Sequence, residues 1–542
     1  MTPFETHEVF NQPPRYGGGN LATSDPLLIA AHGAALDEAT GAALAAHGAA
    51  LGSLDVLDLG RLADEHAPVL KTHDIHGRRF DVVEYHPAYH ALMRRSVEAG
   101  LHAASLDDGP WPQTRRAGRY FVTSQAETGH CCPITMTNAA GAVLKAHAQP
   151  AEGWLPLLRS RHYDQRFVPM AQKRGVTFGM GLTEKQGGTD LRAITTVAEP
   201  SGDGLYVLTG HKWFLSAPMS DAFLVLAKTE RGPGCFLVPR FLPDGTVNGL
   251  RFQRLKAKLG NRSNASTEVE FQHAGGLLIG EEGRGIATIL DMVVPTRIDC
   301  ALGSAAQMRA AVARAVHHCR HRQAFGARLV DQPLMTRVLA DMALDVAAAT
   351  ALAFRLVRAA DCMADDAAEA AYVRLMTPAI KYWICKAAPL LTYEAMECLG
   401  GNGYVEDFDM ARLYRDAPVN AIWEGSGNVM ALDVLRALER TPAALEAVLA
   451  EFAGRLGRGG AAAGEVIAAA ARAAREDPSN GRILTEQLAL TGAAAALRAI
   501  APEPVADAFI ESRLAGQWRS SYGMLPGRHN ARRLVEALYP EG

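Results

Sequence analysis

Between about Val176 and His273 the pattern of this 542-residue chain changes. On either side, apolar residues recur at helical spacing. Inside, short β-branched and aromatic runs are punctuated by Gly, Pro, Asp and Asn. Leu205-Tyr206-Val207-Leu208-Thr209, Ala222-Phe223-Leu224-Val225-Leu226, Cys235-Phe236-Leu237-Val238-Pro239 and Glu268-Val269-Glu270-Phe271 read as strands of an antiparallel β unit. Few folds place a small β domain between two helical blocks. The expected class is therefore mainly α with a central antiparallel β domain. The length suits about three domains. The expected segments are a helical N-terminal domain over 1–175, a β domain over 176–278, a helical bundle over 279–440 and a helical extension over 441–542. Loops are expected at Gly109-Pro110 and Cys132-Pro133. The Ala-rich stretch near Ala461–Arg475, interrupted by Gly464, Glu465 and Arg472, reads as a soluble helix.

A formal net charge of −3 supplies no general field for nucleic acid, so any such binding must rest on a local patch. Eight cysteines are scattered without a C-x-x-C pair, which points away from a zinc or redox motif. The vicinal Cys131-Cys132 is poorly placed for a structural disulfide. A reducing, cytoplasmic compartment is the expectation. Residues Met1–Asn20 carry Glu5 and Glu8 and no apolar core of a signal peptide. No uninterrupted apolar run reaches the roughly 18 residues of a membrane span, so no membrane is expected.

The segment Ile422-Trp423-Glu424-Gly425-Ser426-Gly427-Asn428 sets one carboxylate between an apolar pair and a Gly-Ser-Gly turn, ahead of a helical pattern. Apolar neighbours desolvate such a glutamate and raise its pKa toward neutrality, as a general base requires. Backbone N–H groups at the helix start suit a phosphate. A plain helix N-terminus, with Glu424 complementing the macrodipole, is the alternative. Four further segments stand beside it. Met180 to Asp190 opens the β unit with hydroxyls and glycines, suited to a polar ring edge and a phosphate. Gly210 to Ser216 carries Trp213-Phe214 just before a hydroxyl. Arg322-Gln323-Ala324-Phe325-Gly326, followed by Gln332, offers a guanidinium for a pyrophosphate. Leu399 to Tyr404 is a glycine turn permitting close backbone approach. Each alone also reads as a hairpin turn, a buried Trp, a surface Arg or a helix cap.

In this order the five segments resemble the acyl-CoA dehydrogenase family, over roughly residues 120–440. That family's Thr-Glu-Pro-x-x-Gly-Ser-Asp loop is matched by Thr183 to Asp190, its Trp-Ile-Thr strand by Phe214-Leu215-Ser216, and its Arg-x-Gln-Phe-Gly segment by Arg322 to Gly326. Its Gly-Gly-x-Gly-Tyr turn is met by Gly400–Tyr404, and its Tyr-Glu-Gly-Thr segment by Trp423–Ser426. Within the family the chain resembles the AidB branch, associated with the bacterial adaptive response to DNA alkylation. The residues that carry this likeness are Thr6 to Pro13, Cys132 to Thr137, Thr183 to Gly188, Lys258 to Ser266 and the extension of about 100 residues after Arg440.

The resemblance implies FAD as cofactor and an acyl-CoA or related small molecule as substrate. Thr183 and Ser216 are then donors to the flavin pyrimidine edge and N5 region. The backbone of Met180, Gly181, Leu182, Thr183, Gly188 and Thr189 lines the isoalloxazine, with Phe214 and Leu215 close by. Arg322 and the turn of Gly400, Gly401 and Gly403 meet the adenosine diphosphate half of an FAD, in this family often one held mainly by a neighbouring subunit, and Phe325 and Gln332 are further cofactor contacts. Trp423, Gly425, Ser426 and Asn428 flank the cofactor, and Glu424 aligns with the base that takes the substrate α-proton while the β-hydrogen leaves as hydride. No Gly-x-Gly-x-x-Gly follows a strand, so the dinucleotide is not held in Rossmann fashion. A homo-oligomer, a tetramer by resemblance, is also implied.

There are departures. Lys185-Gln186 replaces the family's proline-containing turn. Val294 and Thr296 stand where many relatives carry acids before the arginine, here Arg297, which is read either as a substrate contact or as a helix-surface residue. Glu424 is thus the candidate base, and CoA recognition is open. A second class of function, sequence-independent binding of double-stranded DNA, rests on Arg513, Arg519, Arg528, Arg532 and Arg533, interleaved with Trp518, Tyr522 and His529 and with no acidic residue from Ser512 to Val535. Arg436 and Arg440, one helical turn apart, extend that face. The alternative function is a DNA-binding protective flavoprotein with little or no dehydrogenase activity. No metal site is expected.

Overall fold

The computed structural model describes residues 6–33, 37–147, 151–202, 204–514, 522 and 528–540. The chain divides into two compact units, one spanning Asp55–Asp299 and the other combining Met1–Leu54 with Cys300–Gly542.

The Asp55–Asp299 unit opens with helix Leu54–Glu65, nearly all within it, and a short antiparallel hairpin, β1 (Val69–His73) and β2 (Arg79–Glu84). Helices Pro87–Glu98, Pro112–Ala126 and Cys131–Ala146 follow. Proline in the first turn suits all three, because the N–H it lacks has no intrahelical partner there. This corrects the expected loop at Cys132-Pro133, which is the start of the third helix.

The sheet comprises β3 (Phe178–Gly181), β4 (Val197–Gly202), β5 (Leu205–Ser216), β6 (Ala222–Thr229), β7 (Gly232–Pro239), β8 (Leu250–Leu255) and β9 (Ser266–Ile279). The pairs β3–β5, β5–β9, β9–β7, β7–β6 and β6–β3 form a circuit, so the sheet closes on itself and its central edges disappear. It is not wholly antiparallel as expected: β3 runs parallel to β6, Met180 facing Leu224. Inside the closed sheet Leu208, Leu215, Phe223, Val225, Phe236, Val238, Leu250, Phe252, Val269 and Phe271 form the core.

Buried Glu127, in the turn before Cys131–Ala146, binds the Lys258–Ser266 loop to that helix. Ser263 donates to its Oε1 at 2.7 Å, while Oε2 accepts from His130 N at 2.8 Å and lies 2.6 Å from His130 Nδ1. Burial raises this carboxyl, but the bonds and charge of His130, helped by Ser263, outweigh it and bring the pKa down to about 2.

The second unit is helical. Helix Gly285–His321 enters it at Cys300 and is followed by Pro333–Cys362, Ala367–Glu397 and Gly427–Arg440. The later helices Ala443–Leu456 and Gly481–Ile500 pack on Ala367–Glu397 within the same unit. The stretch Pro478–Ile500 is long and apolar enough to cross a membrane, but most of it is buried against Pro333–Cys362 and Ala367–Glu397. Arg309 draws both chain ends onto Gly285–His321. Its guanidinium pairs with Asp25 at 3.2 Å, donates to Leu538 O at 2.7 Å and lies over the Tyr539 ring.

Candidate active site

In the β-rich unit the expected flavin edge is the β3–β5 pair. Met180 faces Ser216, and Trp213 N donates to Thr183 O at 2.8 Å, continuing the register past the end of β3. Side chains alternate across a strand. Leu215 points into the core and is fully buried, which sends Phe214 and Ser216 to the outer face. Only the backbone of Leu215 remains for a ligand. Phe214 is 45% exposed and Ser216 half-buried. Gly181 faces inward, where a Cβ would lie 2.7 Å from Leu215 Cδ1. A Cβ at Gly188 would lie 2.2 Å from Thr183 Oγ1, so a side chain there would cover that hydroxyl. Thr189 is exposed and Leu182 half-buried. An outward face of Phe214 and Ser216, with the half-buried Thr183 hydroxyl near it, fits a flat heterocycle with a polar edge.

The loop beside this edge is fixed by Glu184, which is fully buried. Its Oε1 accepts from Lys212 Nζ at 2.6 Å and Thr196 N at 3.2 Å. Its Oε2 accepts from Thr195 N at 2.6 Å, Thr195 Oγ1 at 2.8 Å and Gln186 Nε2 at 2.7 Å. Burial raises the pKa of this carboxyl, but the Lys212 ammonium and the other donors outweigh burial and hold it far below the usual carboxylate range. Glu184 and Gly187 exchange backbone hydrogen bonds around Lys185-Gln186. The proline-free turn is therefore a tight two-residue reversal, with the Gln186 amide also donating to Ala193 O at 3.1 Å.

In the helical unit Glu424 has φ 56°, a left-handed conformation that is costly for a non-glycine residue. The backbone on both sides of it is held. Lys381, 1% exposed in the middle of Ala367–Glu397, donates through Nζ to Trp423 O at 2.9 Å and Gly425 O at 2.5 Å, the carbonyls on either side of Glu424. The turn is pinned again through Trp423, whose Nε1 donates to Asn420 Oδ1 at 2.8 Å; Asn420 Nδ2 in turn donates to Ser304 Oγ at 3.0 Å. Gly425, at φ 103°, sits in a conformation that strains any side chain, and a Cβ there would also push on the Met430 methyl at 2.5 Å. Glu424 is half-buried and precedes Ser426, the N-cap of Gly427–Arg440. It is not in the first helical turn, so the plain macrodipole reading does not describe it. Asn428 accepts from Arg482 Nε at 2.7 Å.

Arg322 begins a hairpin of the same unit, β10 (Gln323–Ala324) paired with β11 (Ala327–Arg328). Phe325 and Gly326 form its corner with positive φ, and Phe325 is 100% exposed. Gln332 Nε2 donates to Ala324 O at 3.0 Å. At Gly400 and Gly401 a Cβ would meet nothing within 4 Å, which leaves that turn open to a ligand. In Gly285–His321, Thr296 is buried with its hydroxyl donating to Val293 O at 2.8 Å, and Arg297 is buried rather than on the helix surface.

The arginine patch changes most. Arg513 is not a DNA contact: its side chain is 2% exposed and pairs with Asp341 at 2.7 Å and Asp345 at 3.0 Å. Arg528 pairs with Glu511 at 2.6 Å, and Arg532 with Glu536 at 3.0 Å. Arg519 lies outside the described residues, as does Trp518. Arg436, Arg440 and Arg533 are exposed. The sequence reading missed Lys381 altogether; its one signal was a lone charge in the apolar run from Ala379 to Cys385.

The chain resembles known proteins along most of its length. Residues 11–165 match the N-terminal domain of the adaptive response protein AidB, 179–274 the middle domain of acyl-CoA dehydrogenases and 283–439 their C-terminal domain. The AidB protein of Escherichia coli (strain K12) is 47% identical over 94% of this chain and 95% of its own length. The structure of Caenorhabditis elegans ACDH-11 in complex with C11-CoA is similar at TM-score 0.85 and 27% identity, covering 96% of this chain and 95% of that one. An acyl-CoA dehydrogenase from Bacillus anthracis complexed with FAD shares the fold at TM-score 0.62 and 20% identity, over 80% of this chain and 77% of its own. The chain belongs to the acyl-CoA dehydrogenase family, in its AidB branch.

Proposed function

We propose that this protein is an FAD-dependent acyl-CoA dehydrogenase-like oxidoreductase in which Glu424 removes the α-proton of an acyl thioester. The observation that carries this reading is the left-handed Glu424, set between two carbonyls held by one buried lysine. Strain maintained by such a device is typical of a functional position. FAD, when bound, would supply the two-electron acceptor for the substrate β-hydrogen. Thr183 and Ser216 would hold its polar edge by hydrogen bonds, with Phe214 beside it. The Glu424 carboxylate receives the α-proton as the Cα–Cβ bond gains double-bond character, and the Lys381 clamp holds the backbone that carries it. The C11-CoA bound by the nematode relative supports an acyl-CoA as substrate class. By the family resemblance we take the protein to be a homo-oligomer, a tetramer. Eight free thiols suit the cytoplasm.

The test is an anaerobic titration of the purified yellow protein with short, branched and long acyl-CoAs, followed by flavin absorbance. Bleaching by one class is expected, and its loss in Glu424→Gln with FAD retained. No bleaching by any class, with FAD fully bound, favours the alternative, a DNA-binding protective flavoprotein without dehydrogenase turnover.

We further propose sequence-independent binding of double-stranded DNA, supported by exposed Arg436 and Arg440 in the last turns of Gly427–Arg440 rather than by the 513–533 segment as a whole. Reversing both charges should weaken DNA binding and lower the slope of log K against log salt by about 2, while Arg528→Glu has little effect. An unchanged slope in the Arg436/Arg440 variant removes these residues from the interface.

A further inference from the structure

The segment Thr6 to Pro13 has no part in the chemistry above, yet it touches one piece of the proposed cofactor site. Asn11 has φ 55°, a left-handed conformation that asparagine tolerates better than most residues. From that posture it makes three bonds to the start of the Arg322–Gly326 hairpin. Its backbone O accepts from Arg322 Nη1 at 2.7 Å. Its side-chain Nδ2 donates to Gln323 O at 2.9 Å, and its Oδ1 accepts from Gln323 N at 2.8 Å. The strap then follows the end of Gly285–His321. Pro14 O lies 2.8 Å from His317 Nε2, and Tyr16 packs edge-on against His317 beneath the Arg314 guanidinium.

A hairpin with two residues per strand has almost no stability of its own. This one is held from one side by Gln332 and from the other by Asn11. The Asn11 carbonyl also uses one of the five guanidinium N–H donors of Arg322, which fixes the plane in which the rest point. Val9 and Phe10 on the strap and Phe325 on the hairpin corner are 75%, 78% and 100% exposed. The strap thus adds apolar surface near the guanidinium, the pairing of chemistry that an adenosine diphosphate group requires.

We propose that Asn11 is a positioning residue for Arg322 and Phe325, so that the N-terminal strap belongs to the dinucleotide-holding site. This rests on the reading that Arg322 meets the ADP half of FAD and that Phe325 contacts the cofactor. The test compares the affinities of the full-length apo-protein for FAD and for FMN, which lacks that half, by quenching of flavin fluorescence. The variants are Asn11→Gly, Asn11→Asp and Arg322→Ala. Asn11→Gly keeps the left-handed backbone and deletes both side-chain bonds. It should reduce the preference for FAD over FMN roughly five-fold, the loss expected for a net hydrogen bond of ordinary strength. Asn11→Asp keeps the acceptor to Gln323 N and should fall between Gly and the parent. A merely structural role for the strap would weaken FAD and FMN alike, so equal losses, or no loss, in Asn11→Gly overturn the proposal. Arg322→Ala separates the two layers. If it leaves the FAD preference intact, the hairpin does not serve the ADP half and the proposal fails with it; if it abolishes the preference while Asn11→Gly does not change it, only the strap is refuted.

Discussion

In the β-rich unit the loop at the expected flavin edge is held by a carboxylate, Glu184, that gathers donors from Lys212, Thr195, Thr196 and Gln186. In the helical unit the turn that carries Glu424 is held by an ammonium, Lys381, that gathers two backbone carbonyls. Both anchors are buried and both fix a short irregular segment. They differ in what their partners can do. Glu184 and Lys212 are both ionisable, so either can be left as a buried unpaired charge. The carbonyls on Lys381 do not titrate, and they carry the backbone itself. The first arrangement trades sensitivity to acid for a firmly closed loop. The second controls the conformation of the residue it encloses.

The largest effect should come from splitting the ion pair. Lys212→Met leaves Glu184 buried without its cation and should cost about 3–5 kcal/mol, while the double variant Lys212→Met/Glu184→Gln should recover a substantial part. Denaturant titration of both decides it; a single-variant cost under about 1 kcal/mol would erase the contrast between the two anchors. The same pair sets an acid limit. Because the folded pKa of Glu184 is depressed, its contribution is complete above the unfolded value near 4.5 and is lost as pH falls through the lower folded value. The Lys381 clamp has carbonyl acceptors and no carboxylate to protonate.

Lys381→Met comes next. Two carbonyls lose a charged donor, which should cost about 1–3 kcal/mol in stability. The larger consequence is kinetic. With the turn released, Glu424 leaves its posture and turnover should fall about 100-fold, while the flavin spectrum and FAD content stay as in the parent. Turnover equal to the parent would show that the clamp is structural only.

How much of this was legible beforehand follows from what each feature depends on. The four strands read from the sequence are present because β-branched runs bounded by Gly, Pro and Asp are local signals. Strand β3 was not, since Phe178-Gly179-Met180-Gly181 alternates nothing polar and its parallel partner, β6, begins more than 40 residues later. The hairpin Val69–Glu84 was hidden in a stretch rich in His, Lys and Arg. Glu424 and Thr183 were visible because their neighbours are distinctive. Lys381 was not, because burial of a lysine depends on which carbonyls a distant turn delivers to it. Arg513 was misread for the same reason: the aspartates that pair with it lie about 170 residues away on Pro333–Cys362, beyond any local count of charge.

The smallest prediction isolates the conformation of the proposed base, Glu424, from its chemistry. Glu424→Ala and Glu424→Gly both remove the carboxylate and, on the proposed mechanism, both should abolish proton abstraction. They differ in the left-handed backbone, which glycine adopts freely and alanine does not. If the Lys381 clamp holds the turn in place regardless of the residue inside it, Glu424→Gly should be more stable than Glu424→Ala by about 1 kcal/mol. Equal stabilities would mean that the turn relaxes once the glutamate is gone, and that Glu424 helps to impose the strain it bears. In the Lys381→Met background the gap should shrink, because a turn without its clamp can rotate alanine out of the left-handed region. Persistence of the full gap there would assign the strain to the Trp423–Asn420–Ser304 bonds instead.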